Sequence, residues 1–335
     1  MKNRTPLKKY DITQCALYKC RTKKRLEKLL RLETGGLKAV DDIIVYHKFE
    51  INKKHSDEKR AITAPDKKLK DIQKRILHLL QPVIRPKWLI SGEKRKCYID
   101  NGKAHLNGKY VLAVDIKKFY DNCTRESVYQ FLVLKLKTSP DVAEILTNII
   151  TYNGGIPTGC PTSQIMAFYA YSDMFSEIAD AAKQCGCKFT LYVDDMTFSS
   201  KEPFSHDRLR QMIDCILRKY GHKPKYSKVK YYGFSDYKPI TGTIVTPEQT
   251  LAVPNGLQKT IYTAFQEVKP LVGTEVHSDE DVKRILSLKG QIQAARNIEK
   301  GKFPEIRRLT DQIGVPVMDN GRKRKALIEQ RTTTE

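Results

Sequence analysis

Apolar and polar positions along this chain switch between a helical and a strand period, and the switch points outline its elements. Residues 1–40 read as basic helical material ending at Gly35-Gly36. The apolar, β-prone run Ile43-Ile44-Val45-Tyr46 marks a strand within 41–50, a charged turn covers 52–59, and 60–65 is a short strand ending at Pro65. Leu69, Ile72, Ile76, Leu77 and Leu80 recur at helical spacing up to Pro82. Residues 109–116 are a compact apolar run whose weak alternation predicts a strand buried on both faces. Residues 125–151 read as two helices broken near Ser139-Pro140, 153–159 as a loop and 163–182 as one long apolar helix. A strand over 189–193 and its return over 196–199 precede an amphipathic helix over 208–220, closed by Gly221. Strands, Pro254 and a helical C-terminal third follow Gly242. Interleaved elements of this kind predict an α+β or mixed α/β fold.

The chain has 335 residues, 40% of them hydrophobic, which is enough to bury a core and too many for a wholly disordered protein. There is no run of about 18 apolar residues, so no membrane span is expected. The N-terminal Met1-Lys2-Asn3-Arg4-Thr5 is basic with no apolar stretch behind it, which predicts a cytoplasmic protein. The eight cysteines are scattered, and Cys185-Gly186-Cys187 has no second pair nearby, so neither a disulfide framework nor a zinc site is expected.

Charge changes the picture more. Against 38 Asp+Glu stand 61 Lys+Arg, a formal net charge of +23, which calls for a polyanionic partner. Nucleic acid is favoured over a membrane surface, because no strongly amphipathic helix with a Trp/Phe/Leu face stands out. Positive charge is dense at Lys8-Lys9 and over 19–28, 67–75, 223–230 and 322–325. Tyr226, Tyr231, Tyr232 and Tyr237 are interleaved with it, and such rings can stack on bases while lysines hold phosphates.

Tyr192-Val193-Asp194-Asp195 follows an apolar strand and precedes a β-prone run, which puts two carboxylates at a hairpin tip. Ordinary turn chemistry would account for Asp-Asp alone. Asp115, however, ends the other strongly apolar stretch, Val111-Leu112-Ala113-Val114, and a carboxylate there is costly without a positive partner. If the two strands are neighbours, Asp115 and Asp194 converge, and either a pKa rises or a divalent ion settles between them. Two such ions about 3.5–4 Å apart can run an in-line phosphoryl displacement. A basic chain supplies the channel for a polymer, which favours a polymerase; a two-metal nuclease stays open on these residues alone.

From about residue 43 to 260 the motifs resemble the reverse transcriptase family, in the family's order. Residues 112–120 (Leu-Ala-Val-Asp-Ile-Lys-Lys-Phe-Tyr) are similar to its first palm motif, 156–163 (Ile-Pro-Thr-Gly-Cys-Pro-Thr-Ser) to its second, Tyr192-Val193-Asp194-Asp195 to its third, and Gly221 with Lys228 to its fourth. Residues 60–65 and 69–73 are similar to its fingers segment. Within the family the chain resembles the retron branch. Asn101 and His105 match an Asn-Ala-x-x-His element with the alanine displaced to Ala104, and Ile240-Thr241-Gly242 is a variant of Val-Thr-Gly. In one departure, Thr158 stands where the second motif commonly has Gln.

The resemblance implies an α+β right-hand polymerase with fingers, an antiparallel palm sheet backed by helices and a helical thumb. It implies a basic helical extension over 1–40, fingers and palm over 41–245 and a thumb or RNA-binding region over 246–335. Asp115, Asp194 and Asp195 become the catalytic acids for two Mg²⁺ ions. Arg60, Tyr120, Thr158, Gly159 and Lys228 become nucleotide contacts, with Tyr120 as the gate under the sugar and Lys228 able to protonate pyrophosphate. Asn101, His105, Thr241, Gly242, Arg322 and Lys323 become RNA contacts, although burial in a core or a solvated charged face accounts for several of these side chains equally well.

The implied reaction is RNA-directed DNA synthesis from dNTPs. In a retron the template is a cognate structured non-coding RNA whose 2′-hydroxyl primes a branched product, multicopy single-stranded DNA (msDNA). Partners would be that RNA, its product and an effector protein in anti-phage defence. A defence-associated or group II intron-like reverse transcriptase, a non-catalytic RNA-binding protein and a two-metal nuclease are the alternatives.

Overall fold

The computed structural model describes residues 9–52, 59–276 and 278–315. In chain order the elements are α1 (Lys23–Leu30), α2 (Val40–Ile43), β1 (Tyr46–Asn52), β2 (Lys59–Pro65), α3 (Lys67–Leu80), α4 (Tyr98–Ala104), β3 (Tyr110–Asp115), α5 (Arg125–Gln130) and α6 (Pro140–Ile150). They continue with α7 (Ser163–Ala170), α8 (Ser172–Gln184), β4 (Lys188–Tyr192), β5 (Asp195–Ser200), α9 (His206–Lys219), β6 (Lys230–Tyr232), β7 (Lys238–Ile240), β8 (Thr243–Val245) and β9 (Leu251–Ala252). Helices α10 (Asn255–Val268), α11 (Asp279–Ile298) and α12 (Pro304–Asp311) complete the list. By contacts the chain forms two compact units, 1–241 with 245–250, and 242–244 with 251–335.

The first unit is built on a sheet of order β4-β5-β3-β6, antiparallel at every pairing. β3 is flanked on both sides, which accounts for its unbroken apolar run: Val111 faces one layer while Leu112 and Val114 face the other, and all three are buried. Helices α8 and α9 back this sheet through Phe175, Ile178, Leu209, Ile213 and Leu217. β1 and β2 form a separate antiparallel pair. α3 follows them, started by the Asp66 carboxylate, which accepts the Lys68 N–H. Residues 9–40 are no appendage, since Cys15, Leu17, Cys20, Leu26 and Leu30 belong to the same core. In the second unit, Val282, Ile285, Leu288, Ile292 and Ala295 make the buried stripe of α11 against Ile261 and Phe265 of α10.

Two expectations change. Ile43 closes α2, so the first strand starts at Tyr46 rather than within 41–45, and it runs through Asn52, which pairs with Lys59. The single helix expected over 163–182 is two helices, because Tyr171 (φ −118°, ψ 24°) leaves helical geometry. Its hydroxyl accepts the Thr124 N–H and donates to the Asn122 carbonyl, bonds that fix a turn outside the helix. Among the described residues no helix is long and apolar enough to cross a membrane.

Candidate active site

The hairpin β4–β5 turns through Val193 and Asp194, and its return strand lies beside β3, so that Asp115 and Asp195 are directly paired in register. Strand pairing therefore brings together carboxylates 80 positions apart, since opposite residues in an antiparallel pair have Cβ atoms about 4.5–5.5 Å apart. The Ile116 N–H donates to the Asp194 carbonyl at 3.2 Å, which fastens the tip to the end of β3. Val193 adopts φ +61°, rare for a β-branched residue. Its N–H donates to Ser91 Oγ at 2.8 Å, and residues 88–90 pair with Leu191 beside it. Ser91 has no motif around it in the sequence, and only the fold shows that it holds the turn.

The carboxylates are crowded. Burial first, then the charges of Asp194 and Asp115, push the Asp195 carboxyl up to about 7. Lys228 answers part of that charge, its Nζ lying 2.6 Å from Asp115 Oδ2. Burial works against the Lys228 charge, but the hydrogen bond and the three carboxylates outweigh it and raise its pKa. Lys228 is thus a partner of Asp115, although more than half of its side chain stays exposed to solvent. Among the described residues no three His, Cys, Asp or Glu side chains are already drawn into a metal cage. The donor set still suits a hard divalent cation, being all carboxylate and crowded enough for Asp195 to retain a proton near neutrality.

The loop of the second motif docks on β2. The Thr63 N–H donates to the Thr158 carbonyl at 2.8 Å, and Thr158 Oγ1 donates to the Ala61 carbonyl at 2.9 Å. Threonine here is tied back to the strand by its own hydroxyl. Gly159 sits at φ +111°, where an added Cβ would lie 2.8 Å from Ile62 Cγ2 and 3.2 Å from the Thr63 oxygen. Its close approach is therefore to β2, and both the conformation and the space require glycine. Arg60 contributes its backbone to β2 opposite Ile51, and its side chain lies outside the described residues. Tyr120, half-buried, opens a 3₁₀ turn with its ring centroid 5.6 Å from that of Phe119.

The two retron-like elements meet: Asn101 Nδ2 donates to Thr241 Oγ1 at 2.9 Å. Asn101 is fully buried, which makes this a packing contact between chain segments and not an RNA-facing surface. His105 is also fully buried. Its Nδ1 lies 2.6 Å from Ser199 Oγ and its Nε2 2.7 Å from Thr190 Oγ1, so both nitrogens are taken and α4 is pinned to the hairpin. The expectation that Asn101 and His105 touch RNA does not fit these positions, since a side chain without exposure cannot reach a ligand. Thr241 and Gly242 adopt φ +41° and +78°. Arg322 and Lys323 lie outside the described residues. Arg31, Lys68, Lys74, Arg75 and His78 line a groove of about 640 Å³ beside α3, with Asp71 paired to Lys74.

A family model described as reverse transcriptase (RNA-dependent DNA polymerase) matches residues 51–250. The retron Se72 reverse transcriptase of Salmonella heidelberg is 26% identical over 172 residues, 51% of this chain and 45% of that protein. The retron Ec86 reverse transcriptase of Escherichia coli is 24% identical over 206 residues, 61% of this chain and 64% of that protein. The chain thus spans roughly half to two thirds of the length of these relatives. A solved structure of apo telomerase from Candida Tropicalis, truncated from its C-terminal domain, superposes at TM-score 0.44 with 14% identity over 64% of this chain and 55% of that one. With the antiparallel sheet and the helices behind it, the family match gives a right-hand polymerase fold.

Proposed function

Because this chain belongs to the reverse transcriptase (RNA-dependent DNA polymerase) family, we propose that it copies RNA into DNA, adding deoxynucleotides to a primer at Asp115, Asp194 and Asp195. The observation that carries this reading is the register pairing of Asp115 with Asp195, next to Asp194 at the hairpin tip and under the Lys228 ammonium. The three acids would hold Mg²⁺, as a pair of ions, which when bound lowers the pKa of the attacking hydroxyl and neutralises charge on the leaving pyrophosphate. Lys228, held protonated beside Asp115, would give a proton to that pyrophosphate. Tyr120 would lie under the sugar and exclude a 2′-hydroxyl by bulk. Thr158 and Gly159, held on β2, would form the floor beneath the new base pair. The basic groove beside α3 and the helices of the second unit, read as a thumb, would hold nucleic acid through phosphate contacts.

The relatives named as retron reverse transcriptases, and the meeting of Asn101 with Thr241, support a finer reading. In it the template is a cognate structured non-coding RNA, priming starts from a 2′-hydroxyl of that RNA, and the product is branched msDNA. An effector protein and a role in anti-phage defence belong to this reading. Its test is expression together with the flanking genomic DNA, followed by sequencing of the nucleic acid that co-purifies. A small DNA joined to RNA through a 2′–5′ branch is expected. Linear cDNA without a branch would favour a defence-associated or intron-like reverse transcriptase.

A further inference from the structure

The segment that leads into the Tyr120 turn, residues 115–117, is braced by residues 223–225, which run antiparallel to it. The Lys225 N–H donates to the Asp115 carbonyl at 2.7 Å, Ile116 and Pro224 form an antiparallel bridge, and the Lys117 N–H donates to the Lys223 carbonyl at 2.9 Å. One step further, the His222 ring centroid lies 5.3 Å from that of Phe119, the residue before Tyr120. The same imidazole meets Tyr171 edge-on at 4.5 Å, and the Phe119 and Tyr171 rings also meet each other at 6.3 Å. Tyr171 in turn holds the end of the gate turn through its hydrogen bond to the Asn122 carbonyl at 3.0 Å. Phe119, Tyr171 and His222 thus form an aromatic clamp around both ends of the turn.

His222 stands out chemically. It is 2% exposed, and neither ring nitrogen has a hydrogen-bond partner among the described residues. Burial pushes its pKa down to about 4, so the ring is neutral. Leaving buried polar atoms unpaired is costly, and a phenyl ring would fill an aromatic pocket without that penalty. The imidazole is the smaller ring, and in a close-packed interior a change of ring size is passed to the neighbours.

We infer that His222 is a positioning residue for sugar selection: through Phe119 it sets the height of the Tyr120 ring, and so the rejection of a 2′-hydroxyl, without touching the nucleotide. This rests on the proposed gate role of Tyr120. The test is steady-state incorporation of a dNTP and of the matching rNTP by the full chain on an RNA template with a DNA primer. His222→Ala and His222→Leu both remove the flat ring, and Leu keeps the pocket filled should Ala fail to fold. Each is expected to lower the dNTP-over-rNTP preference about tenfold, chiefly through a lower KM for the rNTP, with kcat for the dNTP within about threefold. His222→Phe restores a ring on Phe119 and is expected to retain at least part of the preference. Equal losses on both substrates with unchanged preference would mean a merely structural histidine and overturn the inference. Tyr120→Val separates the two claims. If it leaves the preference unchanged, the gate reading fails and takes this inference with it; if it relaxes the preference while His222→Leu does not, the inference fails alone.

Discussion

Asp195→Asn is expected to abolish nucleotide incorporation while making the metal-free protein harder to unfold. The loss should be at least about 10³-fold, because electrostatic stabilisation at the reacting phosphate is the largest contribution a polymerase site makes. The gain follows from the raised carboxyl. An acid whose folded pKa is about 7 and whose unfolded value is near 3.8 prefers its proton when folded. Its ionisation therefore destabilises the fold progressively as pH rises from about 4 to 7, and the full penalty is present above 7. Asparagine is neutral at every pH and can still donate a hydrogen bond to Asp115. We expect a gain of about 1–3 kcal/mol at pH 7.5, shrinking to nothing below pH 4. Chemical denaturation in EDTA measures it, and equal stability of variant and parent at pH 7.5 would mean that the acids are not in mutual repulsion.

His105→Ala is the second large effect, and here stability is lost. Removing the ring leaves Ser199 Oγ and Thr190 Oγ1 without their partner and opens a hole between α4 and the hairpin, at a cost of about 3–5 kcal/mol. The histidine also has a pH signature. Burial, reinforced by the charge of Lys188, lowers its pKa to about 3, while the unfolded value is near 6.5. A depressed pKa of this kind contributes stability that is whole above 6.5 and is lost as pH falls toward 3, by about 1.4 kcal/mol per unit. His222, pushed down to about 4, adds to the loss over the upper part of that window. Urea midpoints at pH 7.5, 6 and 5 should show a shallower acid slope in the alanine variant than in the parent. An identical slope would mean that His105 is not held neutral in the fold.

Local patterns in the chain announce the strands that matter most. β3 declares itself as buried on both faces, and the hairpin declares its acidic tip, because period and turn chemistry are local properties. From the sequence, Asp115 converges with Asp194 only if their strands are neighbours; in the fold the neighbour of β3 is the return strand β5, so the residue in register with Asp115 is Asp195. Other features follow from long-range packing and leave no local trace. The break at Tyr171 divides a mostly apolar stretch at the residue whose hydroxyl is bonded to Asn122 and Thr124. Gly159 reads as a turn glycine, while the surface it must clear is β2, about a hundred residues earlier. His105 and Asn101 look equally like surface and core residues in a basic loop, and only burial decides. His222 follows Gly221 in what reads as a helix end, with nothing nearby to show that two aromatic rings close over it.

In the proposed reaction Asp115, delivered by β3 beside the hairpin tip, helps to hold the divalent cation at the end of a growing DNA strand. The most direct measurement is dNTP incorporation on an RNA template with a DNA primer, by the parent and by Asp115→Asn, across a Mg²⁺ titration with EDTA as the zero point. The parent is expected to need the cation for incorporation and the variant to show none above the EDTA background, with RNA affinity in a filter-binding assay within about threefold of the parent. Incorporation by Asp115→Asn at the parent's rate and with the parent's Mg²⁺ dependence would contradict that role.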